Sequence, residues 1–512
     1  MGNRNRSPQF DQWKRRADME VSELREFVRR ELDDAVRSEG LVRTLGLAVE
    51  RRVQDITNEL GRALMHEVFE LADTHAPEVR IGGEAWGCRR VQPGTYETTF
   101  GEVSLARSTY QRAGRGRVSV PLELRLGIVE RRYTPLVARI ANRSMASMPT
   151  GEAEALLEEV GVCKVSRSTL HRLPQAMLAR VAPVLEGIEQ SVRAQDAIPE
   201  DACTVQVALD GVMVPMDGED AQARGRKTET PAPARHEAKY SVRGETPVAA
   251  QQAEEPTESD DATSAPAKDT DGLAWREAAV GTVSFWDKDG EMLKTIYLGQ
   301  MPSFRKANLS QRLEREFAAV MQSRPDLQVV LASDGAPTQW DTLRAMGKRV
   351  MGETPWIELL DFFHCASRVG TAAKAIWATS EEATVTGEHW KTVLRERERG
   401  AALVLKSLEH QRSIANESTA AVLTKAMNYI ARNNKEKRLN YAAAKKAHLP
   451  IGTGVTEAAA KTLVSVRMKR SGARYTMHGG QTILTLRAAL LSERFDAFSS
   501  EIEATYMSQV AA

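Results

Sequence analysis

Three carboxylates carry the chemistry this sequence suggests: Asp210 in "VQVALDGVMVPM" (205–216), Asp334 in "LASDGAP" (331–337) and Glu457 in "TGVTEAAA" (453–460). Asp210 stands among Val205, Val207, Leu209 and Val212, and a carboxylate in apolar surroundings is costly unless something pairs with it. The acids lie 124 and 123 residues apart, so only folding can bring them together. Hard oxygen donors in one cluster suit Mg²⁺ or Mn²⁺, whereas zinc takes histidine and thiolate. Two such ions, about 3.5–4 Å apart, stabilise the attacking and leaving oxygens of an in-line phosphoryl displacement. Each acid has a plainer reading: Asp-Gly is a turn dipeptide, and a first-turn Glu complements a helix dipole. Joint placement on two strands and the following helix is what favours metal.

Accessory groups surround this set. In "DFFH", Asp361 and His364 are spaced by three and share a face if a helix begins there. His364 could then orient a phosphate or move a proton, or simply bond to Asp361. "SVRMKRSGAR" supplies Arg467, Lys469, Arg470 and Arg474 downstream of Glu457, basic side chains of the type that grip a phosphate backbone. Residues 149–173 read as a helix-turn-helix: entry at Thr150, a break at Gly161 and Ser166 as N-cap. Arg167, Ser168, His171 and Arg172 then lie on the exposed face of the second helix.

The elements that must position these groups follow from periodicity. Residues 9–75 place apolar side chains three and four apart, as in long helices that pack or self-associate. Residues 80–125 alternate like strands, with Gly101 at a turn. Three strand-like segments then follow, 205–216, 275–287 and 291–301, the first two separated by a Pro/Ala/Glu-rich insertion (217–274) too poor in large apolar residues to order itself. A helix (307–323), a continuously apolar strand (327–337), another helix and a fifth strand (356–364) come next, and 367–447 is helical. Strand, strand, strand, helix, strand, helix, strand is the order of a ribonuclease-H-like core. The fold class expected is α+β, with a mixed five-stranded sheet, a helical insertion and a mainly helical N-terminal DNA-binding region. The expected units are a helical, self-associating region (1–79), a small β-rich region (80–130), a helix-turn-helix region (131–200), and a catalytic core of 201–366 with 448–500. Two insertions interrupt that core, 217–274 and 367–447.

Composition sets the outer limits. A 512-residue chain exceeds a single core, and 42% hydrophobic with 27% charged residues is ordinary for a soluble protein. No long apolar run and no signal-peptide core occur, so no membrane partner and a cytoplasmic location are expected. Four scattered cysteines without a C-x-x-C pair argue for reduced, mostly buried thiols. The net charge of +1 conceals segregation: 105–180 carries 13 basic against 6 acidic residues, and 435–474 carries 10 against 2. Residues 246–274 hold 7 acidic residues and 1 basic. Two basic zones fit a nucleic-acid footprint.

Finally, "LDGV", "GTVSFWDKDGEMLKTIYLGQMP", "LASDGAPTQW", "LLDFFHC", "PIGTGVTEAAAKTLVSVRMKRSG" and "GGQTILTLRAALLSERFD" resemble the ISKra family of bacterial insertion-sequence transposases, DDE-type enzymes related to the Mutator-like group. The resemblance spans roughly residues 95 to 505. It implies Asp210, Asp334 and Glu457 as the triad, with Asp361 and His364 matching the family's D-x-x-H element. Tyr475 stands where the family has Trp, and "YQRAGRGRVSVPL" lacks the cysteine knuckle of many relatives. The function expected is a nucleoid-associated DNA transposase, using two Mg²⁺ (or Mn²⁺) ions on double-stranded terminal repeats and target DNA as a homo-oligomer. The alternatives are a ribonuclease-H-like nuclease that cuts without joining, and a non-catalytic DNA-binding regulator.

Overall fold

The computed structural model describes residues 22, 25–26, 29–30 and 45–511, apart from 113–115, 117, 162, 218–273, 303–306, 378 and 471–472. Most of residues 9–44, nearly all of the 217–274 insertion and four residues of the stretch 112–117 therefore lie outside the described residues.

The molecule is a mixed α+β protein with two sheets. After helix α1 (Leu45–Ala72), strands β1 (Glu78–Ile81), β2 (Glu84–Thr98), β3 (Gly101–Gln111) and β4 (Val118–Ser119) build the first sheet; β10 (Val510–Ala511) returns to its edge beside β1. The β2–β3 hairpin turns at Gly101, whose φ of +109° suits glycine. Phe69 of α1 packs edge-on against Tyr96 at 5.2 Å and closes this small core.

Six helices follow: α2 (Pro121–Arg125), α3 (Pro135–Ser147), α4 (Thr150–Val160), α5 (Arg167–Val181), then after a 3₁₀ turn α6 (Leu185–Gln195) on this side of the second sheet, with α7 (Ala307–Ser323) beyond its third strand. The turn between α4 and α5 forms as the residues dictate. Gly161 closes α4 at φ +68°, and the Ser166 hydroxyl accepts from Thr169 N to start α5.

The second sheet is built from β5 (Thr204–Met216), β6 (Ala274–Trp286), β7 (Met292–Gln300), β8 (Gln328–Ser333) and β9 (Ile357–Leu360), in spatial order β7-β6-β5-β8-β9. β5, β6 and β7 are antiparallel neighbours, while β8 and β9 run parallel to β5. Alternation along β5 splits its side chains between two layers. Val205, Val207 and Leu209 join α7 and α8 (Pro337–Met351) through Leu313, Phe317, Leu343 and Met346. Val212, Val214 and Met216 join Leu463, Val464, Ile483 and Leu484 on the other face. α3, α4 and α5 share that second cluster, so the helix-turn-helix packs on the sheet without a separate core.

The fifth strand ends at Leu360, earlier than its apolar sequence predicts, because Asp361 caps α9 (Phe362–Ile376). α10 (Ser380–Glu396), α11 (Gly400–Ile414), α12 (Glu417–Lys435) and α13 (Tyr441–Lys446) complete a helical layer around Cys365, Val369, Leu408, Leu423 and Ile430. α14 (Gly454–Ala459) runs on through a π-helical turn (Ala460–Ser465) and a last α turn (Val466–Met468), and α15 (Met477–Leu491) and α16 (Phe495–Ala504) close the chain. No described helix is long and apolar enough to cross a membrane. The expectation of mostly buried thiols holds for Cys163 and Cys365 only; Cys88, within β2, and Cys203, just before β5, are exposed.

Candidate active site

Asp210 lies in the middle of β5 and Asp334 directly follows the end of the neighbouring β8. The parallel register of β5 and β8 runs from Thr204↔Gln328 to Ala208↔Ala332, and each acid lies two residues past that last pair. Paired strands are separated by about 4.8 Å, so the backbones that carry the two acids are near neighbours. Both share parity with Gln206 and Ala208, on the face covered by α14, where Gln206 Nε2 donates to Gly452 O at 3.1 Å.

The turn after β8 holds Asp334 firmly. Its Oδ1 accepts from Ala336 N at 3.0 Å and from Ser333 Oγ at 3.3 Å. Gln339 of α8, with its amide nitrogen turned to the acceptors around it, donates to Asp334 Oδ1 (3.1 Å) and to Leu209 O (3.2 Å). One amide thus ties the Asp334 carboxylate to the residue before Asp210. Asp210 Oδ1 accepts from Gly211 N at 2.7 Å.

The helical layer reaches into this turn through residues that the sequence did not single out. Tyr429 of α12 donates its hydroxyl to Asp334 O at 2.6 Å, and Arg432 Nη2 donates to Gly335 O at 3.2 Å. Burial pushes the Tyr429 hydroxyl far above the ordinary phenol range, so it stays a donor. Gly335 has φ +106°, and a Cβ there would meet Tyr429 Oη at 2.8 Å, so both conformation and space demand glycine. A Tyr and an Arg three apart on an amphipathic helix, some 95 residues from Asp334, give no local signal of this role.

Asp361 is the second anchor. It is 1% exposed; Oδ1 accepts from His364 N at 2.8 Å and Oδ2 accepts from both the backbone N–H and the hydroxyl of Thr453. Phe362 N donates to Ile451 O at 3.0 Å beside it. Asp361 therefore joins the start of α9 to the loop that launches α14, and so bears on Glu457. Burial by itself would raise this carboxyl, but the hydrogen bonds from His364 and Thr453 outweigh it and hold Asp361 at about 2.

His364 Nδ1 lies 3.4 Å from Asp361 Oδ1. The Asp361 carboxylate, helped by Asp334 and Asp210, overcomes burial and lifts His364 to about 9. The imidazolium is thus electrostatically coupled to three of the acids. The stability linkage runs in opposite directions for the pair. A lowered carboxyl contributes fully above its unfolded pKa of about 4 and loses that contribution as pH falls through about 2. A raised histidine contributes fully below its unfolded pKa of about 6.5 and loses it as pH rises through about 9. Thermal unfolding curves should therefore show Tm falling between neutral pH and the His364 value more steeply in the native chain than in His364→Ala. Parallel curves across that interval would refute the coupling.

Glu457 occupies the first turn of α14, on the same sheet face as Asp210. The neighbouring Thr456 Oγ1 meets Thr282 Oγ1 of β6 at 2.7 Å, which fixes the helix against the sheet. Its carboxylate is half-buried and pairs with Lys461 Nζ at 3.1 Å, an i,i+4 contact that the E-x-x-x-K spacing already encodes. The π-helical turn begins three residues later, a distortion found often at functional sites. Among the described residues no three His, Cys, Asp or Glu side chains form a ready metal-holding group. The Asp210 and Asp334 carboxylates, on neighbouring strands, are hard oxygen donors of the kind a divalent cation takes. Glu457 would join them by exchanging Lys461 for the cation.

The basic residues divide. Arg167, Ser168, His171 and Arg172 are exposed on α5, and Lys469, Arg470 and Arg474 are exposed after α14. Arg470 pairs with Glu152 of α4, so the two basic zones adjoin. His171 is lowered by burial and, secondarily, by Arg467. Arg467 departs from expectation: it is 6% exposed, and burial lowers its guanidinium. Its place in the last turn of the α14 segment directs it inward, between α5 and the Tyr475 that donates to its carbonyl at 2.7 Å, so it is not a surface phosphate ligand. In comparisons with known proteins, no family model matches the chain and no curated protein matches it either.

Proposed function

We propose that the protein is a DNA transposase that cuts at the ends of its own element and joins the freed 3′-hydroxyl to target DNA. The observation that supports this most is the placement of Asp210 and Asp334 two residues past the shared parallel register of the central strands β5 and β8, with Glu457 on the helix covering the same face. The strand order, three antiparallel strands followed by two parallel to the first, is compatible with a ribonuclease-H-like core, and the sequence motifs resemble the ISKra family. In this reading Asp210, Asp334 and Glu457 hold Mg²⁺ or Mn²⁺. When bound, the metal supplies Lewis-acid activation at phosphorus and neutralises charge developing on the phosphoryl oxygens.

The chain's own groups do the rest. Gln339, Tyr429 and Arg432 keep the Asp334 turn fixed, so that no reorganisation is needed when a phosphate arrives. His364, protonated at neutral pH, faces the same acids and can hold a phosphoryl oxygen or return a proton to the leaving oxygen. Both cleavage and joining are in-line attacks on phosphorus, so one site serves both and no covalent protein–DNA intermediate is needed. The exposed α5 residues and Lys469, Arg470 and Arg474 would bind duplex DNA, mainly through phosphates.

The test is to incubate the protein with labelled duplexes taken from the DNA flanking its coding sequence, Mg²⁺ and a supercoiled plasmid. Labelled plasmid is the expected product. Cut duplex without joining would indicate a nuclease, and a shifted band alone would indicate a regulator; either result overturns the proposal.

A further inference from the structure

We propose that Arg487 is a positioning residue for Glu457, a clamp that holds open the π-helical turn after it and so sets where that acid stands. The inference rests on the reading of Glu457 as a metal ligand.

The wide turn answers a packing requirement. Between α14 and Met468, the residues Thr456, Ala460, Val464 and Met468 are buried at intervals of four, and Ala459, Leu463 and Arg467 repeat the pattern. An α-helix advances about 100° per residue, so each four-residue step overshoots by about 40°, and three steps by about 120°. That drift would lift Met468 off the face that Thr456 occupies. A turn with i→i+5 bonds winds more slowly and takes back much of it. Such a bond is present: Val466 N donates to Lys461 O, five residues back.

The same bond leaves Thr462 O without the Val466 amide that an α-helix would give it. Arg487 of α15 supplies the missing donor. Its side chain is buried, and its three nitrogens go to three carbonyls. Nη2 donates to Thr462 O, Nε donates to Leu463 O at 3.1 Å, and Nη1 donates to Ala146 O. A planar guanidinium presents its donors in fixed directions, so one side chain holds two successive carbonyls of the turn at once. Ala146 lies in the last turn of α3, where helix carbonyls lack ladder partners. One residue thus joins the helix before the helix-turn-helix to the helix that carries Glu457.

Without the clamp the turn closes toward α geometry, and about 100° of winding must be absorbed. Leu463, Val464 and Met468 are fixed in a large apolar cluster, whereas α14 ahead of the turn is only six residues long. The short end yields, and Glu457 is carried round the helix axis away from Asp210.

Arg487→Lys tests this, because an ammonium on a flexible stem cannot hold both carbonyls in place. Mn²⁺ binding, read as loss of the free-ion signal in electron paramagnetic resonance, should weaken about tenfold or more. In a Glu457→Gln background the same substitution should add no further loss. The crystal structure of Arg487→Lys should show residues 460–465 as α-helix with Glu457 displaced. An equal loss of Mn²⁺ binding in both backgrounds, or a π turn and Glu457 left unmoved, would overturn the proposal. A native chain that binds no Mn²⁺ would refute the metal reading alone, and the crystal comparison would still decide the clamp. Should Arg487→Lys not fold, deletion of Thr462 takes its place, since it removes the turn's extra residue with Arg487 intact. It should weaken Mn²⁺ binding to a similar extent and leave an α-helix in the crystal; a native-like Glu457 position after the deletion would overturn the proposal.

Discussion

Asp334→Ala and Asp210→Ala are each expected to reduce strand transfer by about 10³-fold or more, with binding to the same flanking duplex nearly unchanged. The size follows from the chemistry. A metal-assisted displacement at phosphorus draws several kcal/mol from the cation, and about 1.4 kcal/mol corresponds to each tenfold in rate. Binding survives because the exposed basic groups on α5 and after α14 lie outside the carboxylate pair. Glu457→Gln should behave alike, since it keeps the helix but loses the charge. A gel reading both labelled joint product and band shift on the same samples checks this. Any one of the three variants retaining transfer would break the assignment.

Asp361→Ala is expected to lose about 3–5 kcal/mol of stability as well as transfer activity. The substitution removes an N-cap, which is worth about 1 kcal/mol. It also strands the buried donors of Thr453, each charge-assisted hydrogen bond contributing about 1.5–3 kcal/mol before allowance for non-additivity. Asp361→Asn keeps an acceptor for the cap and should lose roughly half as much. Activity falls with stability in both because the 449–453 loop that launches α14 is released from β9 and α9. Urea denaturation monitored by tryptophan fluorescence measures the stability. A midpoint shift within error for Asp361→Ala would show that Asp361 is not the anchor described here.

These residues differ in how far the sequence announced them. The placement of Asp210 and Asp334 on neighbouring strands was legible because the first interrupts an otherwise apolar strand and the second directly follows one. Ser166 and Gly161 were legible as a cap and a left-handed stop, both being local backbone requirements. Arg467 misled because a basic run gives no indication of which member turns inward; that the last turn of this helix buries it emerges only from the fold. Cys88 and Cys203 misled because which face of a strand is covered depends on what packs on its sheet. Tyr429 and Arg432 were invisible: their partners are backbone carbonyls almost a hundred residues away, and carbonyls leave no trace in sequence. The Glu457–Lys461 pair was readable from spacing alone, and it is the contact that a cation would have to displace.

The central claim is that Asp210 and Asp334 share a divalent cation with Glu457. Anomalous diffraction from crystals soaked in Mn²⁺ tests it most directly. The account predicts a peak at bonding distance, about 2.0–2.3 Å, from a carboxylate oxygen of both aspartates, with Glu457 turned from Lys461 toward it. A fully Mn²⁺-soaked crystal with no peak between Asp210 and Asp334, and Glu457 still paired with Lys461, would contradict it.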